Sequence, residues 1–458
     1  MALPANLSFF MQRMQGVSTS HFKIFPQSSD NAKSGKIIRF SLPSNSYVNM
    51  QKLKLFFNAS VTGTCARLPD DISSLIERVA VYAGGVLVSN NFNQYNTLVK
   101  AKSALCGSKC NSVLGHPEMV RKHSYHSGAA IAGTDAEAYA SQDLMFCIDN
   151  WEGILGTIAP SIIDLGLLPQ ITIEITLADN NVCTTSKGTA MSGDAVNDNF
   201  TTNATDQSVS YTLSNLSLQC EVLGFSSSLM DQLVEQRISQ VGYLSLPFKN
   251  YYSFHSQHTN NTRINVNSSS WDRLWLCYRP TTYQNANRPH PVKGYKVSGG
   301  WVGDVSGADA TLDLGKPTYD LGGVLNTNAE KYISPYFRFT NGGDANTNYQ
   351  LQVNGASVPA FKMNLCEAYE VTMNSIDVYD KNHKLTLDQY KDAAFVQCYR
   401  FCLPESDFNR LASGLDVRST SAMATLETNN LTTCDLTIFA ETTAELRVGA
   451  QRNIEIVN

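Results

Sequence analysis

Apolar and polar residues alternate along much of this chain. In the stretch QITIEITL the apolar residues occupy every second position: Ile171, Ile173, Ile175 and Leu177. A period of two, rich in β-branched residues, is typical of a strand with one buried face. The pattern recurs in both halves, at residues 38–42, 53–61, 216–222, 274–278, 337–339, 436–440 and 454–456. Many short strands with turn-rich links predict antiparallel sandwiches.

Helical spacing is limited to a few short segments. Apolar residues repeat at helical intervals at residues 95–105, 229–238 and 407–415, and Gly414 is a stop signal for the third segment. Residues 226–228, all serine, are candidate caps for the second segment. An α/β enzyme would alternate strands and helices regularly. The pattern therefore predicts an all-β chain with a few short helices in the connections.

The length suggests two domains. A chain of 458 residues is long for one core and suits two domains of about 200 residues each. The helical segment near Leu229 lies close to the midpoint and predicts a linker. We therefore expect an N-terminal arm at residues 1–24, a first domain at 25–225 and a second domain at 226–458 that begins with the linker helix. No residue-level repeat relates the two halves.

The predicted arm contains a short amphipathic helix. Its apolar residues stand at i, i+3, i+4 and i+7 before Gly16: Leu7, Phe10, Met11 and Met14. Because a short isolated helix is only marginally stable, it needs a surface to bind. Docking on a neighbouring subunit or at a membrane surface is favoured over the alternative, packing on its own domain.

Charge argues against several classes of partner. Charged residues make up only 16% of the chain, which leaves a polar, weakly charged surface suited to broad protein contacts. The net charge is −5 and no Lys/Arg cluster occurs, so direct nucleic-acid binding is not expected. The eleven cysteines are scattered and predict mostly free thiols. Neither a signal peptide nor a membrane-spanning stretch is predicted.

The usual catalytic and cofactor motifs are missing from the sequence. It contains no phosphate-binding loop, no nucleotide-binding glycine motif, no nucleophile elbow and no zinc helix. We therefore predict a protein that is not an enzyme and has no catalytic, cofactor-binding or metal site. Carboxylate pairs of the glycosidase type are neither supported nor ruled out by the sequence.

Four groups of His and Cys residues have spacings to compare with those of metal ligands. His255 and His258, like His123 and His126, have a spacing that points to opposite faces of a strand, so exposed loop histidines are the simpler interpretation. Cys106 and Cys110, with His116 and His123, match zinc spacing only weakly. Cys398 and Cys402 lie in a strand-like run and predict buried small apolar residues.

Glycosylation sequons are scattered along this Asn- and Thr-rich chain. Asn58 and Asn215 lie within predicted strands, which weakens those two sequons. Asn199 and Asn203 lie in the long polar segment 183–210 and are the candidate glycosylation sites. A second long segment, 281–328, is rich in Pro, Gly and Asn. Loops of this length are usually functional or projecting.

Three segments resemble double jelly-roll major capsid proteins of double-stranded DNA viruses. Residues 75–98, LIERVAVYAGGVLVSNNFNQYNTL, are similar to the first-domain region of that family, where an aromatic–small–Gly strand leads into a helix with a Tyr-Asn pair. Residues 406–429 are similar to the late second-domain region, and residues 333–336, ISPY, are also typical of the group. The capsid proteins of polinton-like viruses and virophages are the most similar members.

The resemblance implies a fold and a function. Each chain would form two consecutive eight-stranded antiparallel jelly rolls, and three chains would form a pseudo-hexagonal homotrimeric capsomer that tiles an icosahedral virion shell. The partners would be the chain itself, neighbouring capsomers, and penton and minor capsid proteins. The arm would lie on the inner side, against capsomers or an inner membrane. Assembly would take place inside the host cell, and no cofactor is implied.

Two alternative functions remain open on the sequence alone. A carbohydrate-binding β-sandwich protein would account for the polar loops and for aromatic residues such as Trp271, Trp275 and Trp301. It would normally carry a signal peptide or disulfides, and neither is apparent. A minor capsid or penton protein is the other alternative, although pentons of this lineage usually have a single jelly roll.

Overall fold

The computed structural model describes most of both halves of the chain. The described residues are 17–62, 66–69, 71–89, 93–106, 144–185, 210–225, 229–280, 290–291, 296–297, 300–301, 332–333, 337, 339–340, 346–376, 387, 390–391, 394–403, 414–418, 423–431, 433–449 and 452–458. Strands dominate these segments, and all the paired strands in them run antiparallel.

The first half contains two facing sheets. Its strands are β1 (Val17–Ile24), β2 (Ala32–Lys33), β3 (Ile37–Ser41), β4 (Tyr47–Thr62), β5 (Ala66–Arg67), β6 (Ile76–Ala83), β7 (Val86–Leu87), β8 (Leu144–Ile148), β9 (Ile162–Asp164), β10 (Ile171–Leu177), β11 (Thr184–Thr185) and β12 (Ser210–Phe225). Its helices are α1 (Tyr95–Cys106) and the single turn α2 (Ile154–Thr157). One sheet has the order β1-β12-β4-β8 and the other β3-β10-β6-β7.

The second half has the same construction. After the helix α3 (Leu229–Val241), its strands are β13 (Tyr243–His258), β14 (Asn261–Asn265), β15 (Trp271–Pro280), β16 (His290–Pro291), β17 (Lys296–Val297), β18 (Gly300–Trp301), β19 (Tyr332–Ile333), β20 (Tyr349–Val353), β21 (Ala356–Met363), β22 (Val396–Arg400), β23 (Met423–Thr428), β24 (Cys434–Gly449) and β25 (Ile454–Val457). Helix α4 (Leu365–Ile376) precedes β22. The two large sheets have the orders β13-β24-β15-β22 and β14-β23-β20-β21.

The strand order of the first half is repeated in the second. Taken in chain order, eight strands of each half occupy equivalent places: β1, β3, β4, β6, β7, β8, β10 and β12 correspond to β13, β14, β15, β20, β21, β22, β23 and β24. Helix α1 lies between β7 and β8, and α4 lies between their counterparts β21 and β22. The prediction of two consecutive eight-stranded jelly rolls is confirmed. We call them the first barrel (β1 to β12) and the second barrel (β13 to β25).

The predicted buried faces agree with the structure. Ile171, Ile173, Ile175 and Leu177 of β10 are all buried, as are the inward residues of β3 and β12. The polar face of β10 is also shielded at one point, where the Glu174 carboxylate accepts a hydrogen bond from Arg39 at 2.8 Å. Burial of alternate apolar residues from both sheets builds one continuous hydrophobic core.

Three of the predicted segments differ from the expected pattern or fall partly among residues that the structure does not describe. β15 is buried on both faces, because Arg273 and Trp275 are as inaccessible as Leu274. Phe337 and Phe339 are buried, but Phe339 makes only an isolated bridge, to Ala394. The predicted helix at residues 407–415 lies outside the described residues as far as residue 413.

The N-terminal boundary is clearer in the structure than in the sequence. Residues 17–24, which sequence analysis assigned to the arm, form β1 and pair with β12 from Val17–Phe225 to Ile24–Leu218. The predicted arm therefore includes the first strand of the first barrel. Weak alternation in VSTSHFKI, where the apolar residues are few, hides this strand from sequence analysis.

Candidate functional site at the seam between the barrels

One face of β13 contacts the first barrel at every second residue. The residues of this face are Pro247, Lys249, Tyr251 and Ser253. The amide of Ala159 donates to the carbonyl of Pro247 at 3.0 Å. The amide of Lys249 donates to the hydroxyl of Thr157 at 2.9 Å, and the amide of Asn93 donates to the hydroxyl of Ser253 at 3.0 Å. We call this contact, together with the charged side chains described below, the seam.

Lys102 of α1 is the central charged residue of the seam. Its ammonium lies 2.7 Å from the carboxylate of Glu152 in its own barrel and 2.7 Å from the hydroxyl of Tyr251 in the other. The same ammonium stands 4.9 Å from the ring centre of Tyr251 and 5.6 Å from that of Trp275. A cation above aromatic faces, shielded from water, gains from both the ion pair and the ring contacts.

A fully buried ion pair lies behind these rings. Arg273 of β15 and Glu441 of β24 are cross-strand neighbours, and Arg273 Nη1 donates to Glu441 Oε1 at 3.0 Å. Trp275 Nε1 donates to the second carboxylate oxygen at 2.9 Å. All three side chains are inaccessible to solvent. The carboxylate thus uses both oxygens, as a buried charge requires.

Electrostatics keep Glu441 ionised. Burial opposes the charged form, but the positive charges of Arg273, Lys102 and Lys249, with the Trp275 hydrogen bond, outweigh it and lower the pKa to about 2. Lys102 belongs to the first barrel and Glu441 to the second. Arg273 of the same barrel makes the largest favourable contribution, and one of the further charges, Lys102, is supplied across the seam.

A second ion pair flanks the first. Lys249 Nζ lies 2.7 Å from Asp272 Oδ2, which also accepts from the Thr443 hydroxyl at 2.5 Å. The other Asp272 oxygen accepts from the hydroxyl of Ser270 at 2.8 Å. Paired and hydrogen-bonded charges of this kind hold a fixed geometry. This pair lies within the second barrel and fixes the side chain of Lys249, whose backbone amide contacts Thr157 of the first barrel.

The chain end adds a separate contact between the barrels. Arg452, in the turn between β24 and β25, donates from Nε to the carbonyl of Gly166 at 3.1 Å and from Nη2 to Asn45 Oδ1 at 3.2 Å. Both partners belong to first-barrel loops. Arg452 has a positive φ of 61°, as expected in a tight turn between two paired strands. The barrels are therefore joined at two separate places.

The residues predicted to bind partners or glycans lie outside the described residues. These are Leu7, Phe10, Met11, Met14, Asn199 and Asn203. Cys110, His116, His123 and His126 also lie outside them. No group of three or more potential metal ligands occurs among the residues that the structure does describe. Within the same ranges, no helix has the length and apolar character needed to cross a membrane.

The interpretation of His258 as an exposed loop histidine is wrong. His255 and His258 do lie on opposite faces of β13, but His258 is fully buried. Its two ring nitrogens lie 2.6 Å from the Thr262 hydroxyl and 2.8 Å from the Thr428 hydroxyl. Burial lowers the pKa of His258 to about 4. The ring is a neutral core residue held by two threonines, which sequence spacing alone does not reveal.

Cysteine and tryptophan residues are also placed by the structure. Cys398 is buried, as predicted, whereas Cys402 lies beyond the end of β22 and is only partly buried. Trp271 and Trp275 are both 0% exposed. Neither indole ring therefore offers an accessible platform for a sugar.

Comparison with known proteins identifies the fold. No protein-family model matches the sequence, and no curated protein matches it. The chain is similar to PBCV-1 VP54, in a crystal structure fitted into a cryo-EM reconstruction of the virophage Sputnik, with a TM-score of 0.55, 11% identity and 98% of each chain covered. It is similar to the Faustovirus major capsid protein with a TM-score of 0.54 and 10% identity, over 98% of this chain and 93% of that one.

A third structure gives the same result. The quasi-atomic model of the PBCV-1 virus capsid matches with a TM-score of 0.53 and 11% identity, over 98% of this chain and 99% of that one. The match extends over both barrels and not over one jelly roll alone. The chain therefore has the double jelly-roll fold of capsid proteins from large double-stranded DNA viruses.

Proposed function

We propose that this chain is the major capsid protein of a double-stranded DNA virus and has a structural role in the virion shell. The observation that carries the proposal is the repeated eight-strand topology, which matches viral capsid chains along almost their whole length. Fold alone does not define function, but the seam between the barrels adds support from this chain's own residues. Hydrogen bonds and the cation–ring contacts of Lys102 cross between the two barrels and support one rigid building block, which a shell requires.

The capsomer in this proposal is a homotrimer. Three chains place six barrels around one axis and give a pseudo-hexagonal outline. Closed cyclic symmetry allows one kind of subunit to form a complete ring, and rings of this outline tile a surface. The neighbouring capsomers of an icosahedral shell are then further copies of the same chain.

The remaining partners follow from the sequence-based hypothesis. The segment with Leu7, Phe10, Met11 and Met14 precedes β1 and would bind neighbouring capsomers, penton or minor capsid proteins, or an inner membrane. Asn199 and Asn203 would carry glycans if the chain is glycosylated. With a net charge of −5 and no basic cluster, the chain has no feature suited to holding a row of phosphates.

The two alternative functions, carbohydrate binding and a penton or minor capsid role, receive less support. Carbohydrate binding needs accessible aromatic rings, and Trp271 and Trp275 are buried. A penton of this lineage would usually have a single jelly roll, whereas this chain has two. The major capsid function is the one that uses both barrels.

Light scattering coupled to size-exclusion chromatography tests the proposal directly. A stable species at about three times the chain mass of 50.3 kDa is expected, with a pseudo-hexagonal outline in electron micrographs. A monomer that persists across a wide range of concentrations would contradict the proposal. Glycan-array binding by such a monomer would instead favour the carbohydrate-binding alternative.

A further inference from the structure

A histidine connects the two sheets of the second barrel at the end opposite the linker helix α3. His258 is the last residue of β13 and pairs with Cys434, the first residue of β24. Its ring nitrogens lie 2.6 Å from the hydroxyl of Thr262 in β14 and 2.8 Å from the hydroxyl of Thr428 in β23. β13 and β24 belong to one large sheet, and β14 and β23 belong to the other. We call this contact the His258 bridge.

The His258 bridge suits a neutral imidazole and not a protonated one. In the neutral ring one nitrogen donates a hydrogen bond and the other accepts one, and a threonine hydroxyl can match either role. Protonation turns both nitrogens into donors and adds a positive charge. Because the ring is 0% exposed, water cannot solvate this charge while the end of the barrel is closed. Burial accordingly lowers the pKa of His258 to about 4.

In the part of the chain that the structure describes, no carboxylate faces the ring. The inward groups of the neighbouring strands are the phenols of Tyr278 and Tyr349 and the thiol of Cys434, which are uncharged in acid. The charged and titratable residues along the same strands alternate with these buried residues and face outward: Asp435, Arg279, Arg263, Glu427 and His255. A proton on His258 would therefore have no counter-charge.

The turns on either side of the His258 bridge are open to water. Residues 259–261, which lead from β13 into β14, are exposed, and so are Asn429 and Asn430 after β23. A backbone hydrogen bond connects the two turns, from the amide of Thr428 to the carbonyl of Asn260 at 2.9 Å. Because exposed turns separate at low cost, a local opening here brings water to the ring.

A long connection is anchored beside the His258 bridge. The ring of Tyr278 meets the imidazole edge-on, with ring centres 6.3 Å apart, and the carbonyl of Tyr278 accepts from the amide of Thr340 at 3.0 Å. Pro280, at the end of β15, lies in the same row of paired residues as His258, since both pair with Cys434. The chain between Pro280 and Thr340 therefore leaves and rejoins the barrel next to the bridge.

The seam depends on groups that respond differently to acid. The pKa of Glu441 is about 2, so this carboxylate stays ionised at about pH 4.5. The amide of Lys249 donates to the hydroxyl of Thr157, and neither of these groups titrates in acid. Mild acid therefore weakens the His258 bridge before it weakens the buried pair behind the seam.

We propose that mild acid opens the second barrel at the His258 bridge, between the turns at residues 259–260 and 429–430, and leaves the seam closed. The open form exposes the ring to water, so it takes up a proton more readily than the closed form and gains stability as the pH falls. Opening also loosens the anchor of Thr340 at Tyr278. The inference concerns a single chain and does not depend on the proposed capsid function.

Amide hydrogen exchange in the full chain provides the first test. With a ring pKa of about 4 when closed and the ordinary 6.5 when open, opening should become up to about 50-fold more frequent between about pH 7 and pH 4.5. The amide of Thr428 reports the opening, once its rate is divided by that of an unstructured peptide at the same pH. The amides of Lys249 at the seam and Gly449 at the opposite end should keep their protection. Unchanged protection at Thr428, or equal loss at all three amides, would overturn the proposal.

A pair of histidine variants provides the second test. His258→Gln keeps a donor and an acceptor for the two threonines but takes up no proton, so the loss of protection at Thr428 in acid should disappear. His255→Gln, on the exposed face of the same strand, is the matched control and should retain the loss. A loss that persists in His258→Gln would contradict the role of the ring.

Titration of the ring in the unchanged chain requires no substitution and decides the matter if His258→Gln does not fold. Exchange of the hydrogen on the ring carbon Cε1 follows protonation of each histidine. Half-protonation of His258 near pH 4 supports the proposal, and half-protonation near pH 6.5 overturns it.

The outcomes separate this inference from the proposed function. A chain that stays monomeric but loses protection at Thr428 in acid supports the opening and contradicts the capsid function. A trimer whose Thr428 amide is protected equally at both pH values supports the capsid function and overturns the opening.

Discussion

Lys102 and Tyr251 belong to different barrels, and the ammonium of one lies 2.7 Å from the phenol oxygen of the other. They are separated by 149 residues in the sequence. The same ammonium pairs with Glu152 and contributes to the low pKa of Glu441. One lysine therefore connects the relative position of the barrels to the electrostatics of the second core.

Replacing Lys102 should weaken the seam. We expect Lys102→Met to lower the free energy of unfolding by about 1–3 kcal/mol, because Glu152 and Tyr251 lose a charged partner in a shielded place. Urea unfolding monitored by tryptophan fluorescence measures the change. Lys36→Met, at an exposed turn, is the control and should change stability by less than about 0.5 kcal/mol. Equal midpoints for the two variants would show that Lys102 has no such role.

The Arg273–Glu441 pair should be costly to break. Glu441→Gln keeps the shape of the side chain but leaves the Arg273 charge buried without a counter-charge, so a loss of about 3–5 kcal/mol is expected. Glu445→Gln is the control on the same strand. It removes a partly exposed pair with Arg447, at 3.0 Å, and should cost at most about 1 kcal/mol. Similar losses in both variants would argue against a special role for the buried pair.

The pH dependence of the same variant gives a separate test. The folded-state pKa of Glu441 is about 2, below its ordinary value of 4.5. Its contribution to stability is therefore complete above pH 4.5 and is lost as the pH falls towards 2. The free energy of unfolding is measured against pH for the unchanged chain and for Glu441→Gln. The difference between the two curves should change with pH between about 2 and 4.5. A flat difference would contradict the assigned pKa.

His258 should make the chain less stable in mild acid. The folded-state pKa is about 4 and the ordinary value is 6.5, so the unfolded chain takes up a proton first as the pH falls. Stability is complete above pH 6.5 and declines towards pH 4, by up to about 3 kcal/mol. His258→Gln should flatten this part of the stability curve. His255→Gln, exposed on the opposite face of the same strand, should leave most of the slope in place.

The turn after β6 should require glycine. Gly84 has a φ of +58°, and a Cβ built there would lie 2.7 Å from Pro169 Cβ. Gly84→Ala should therefore cost about 2–3 kcal/mol, from the backbone conformation and the clash together. Gly35 has a φ of +70° and nothing within 4 Å of such an atom, so Gly35→Ala isolates the backbone cost, about 1 kcal/mol. Thermal unfolding compares the two, and equal losses would rule out the clash.

Much of the fold was predictable because its signal is local. A period of two in β10 or β12 reports which side chains face the core, and helical spacing identified α1 and α3 within a few residues. Gly84 and Gly85 were assigned to the strand by the resemblance, whereas in the structure they form the turn between β6 and β7 and both have positive φ. Local patterns of this kind do not depend on distant contacts.

The seam was not predictable because its partners are distant in sequence. Nothing in the neighbourhood of Lys102 indicates that Tyr251 covers it. The one available signal was Glu441, a carboxylate within the otherwise weakly charged run LTIFAETTA. A lone acid in a buried strand implies a buried cation, but the sequence does not say which one. His258 was misjudged for the same reason, since Thr428 lies 170 residues away.

The pairing of β1 with β12 has a consequence for the order in which the chain folds. Val17 pairs with Phe225, so the first barrel closes only when the last of its strands has left the ribosome. Until β13 follows, the side of α1 that carries Lys102 faces solvent. Domains fold as units during synthesis, N-terminal domain first. The first barrel, with the α1 surface that β13 later covers, is therefore complete before β13 is synthesised.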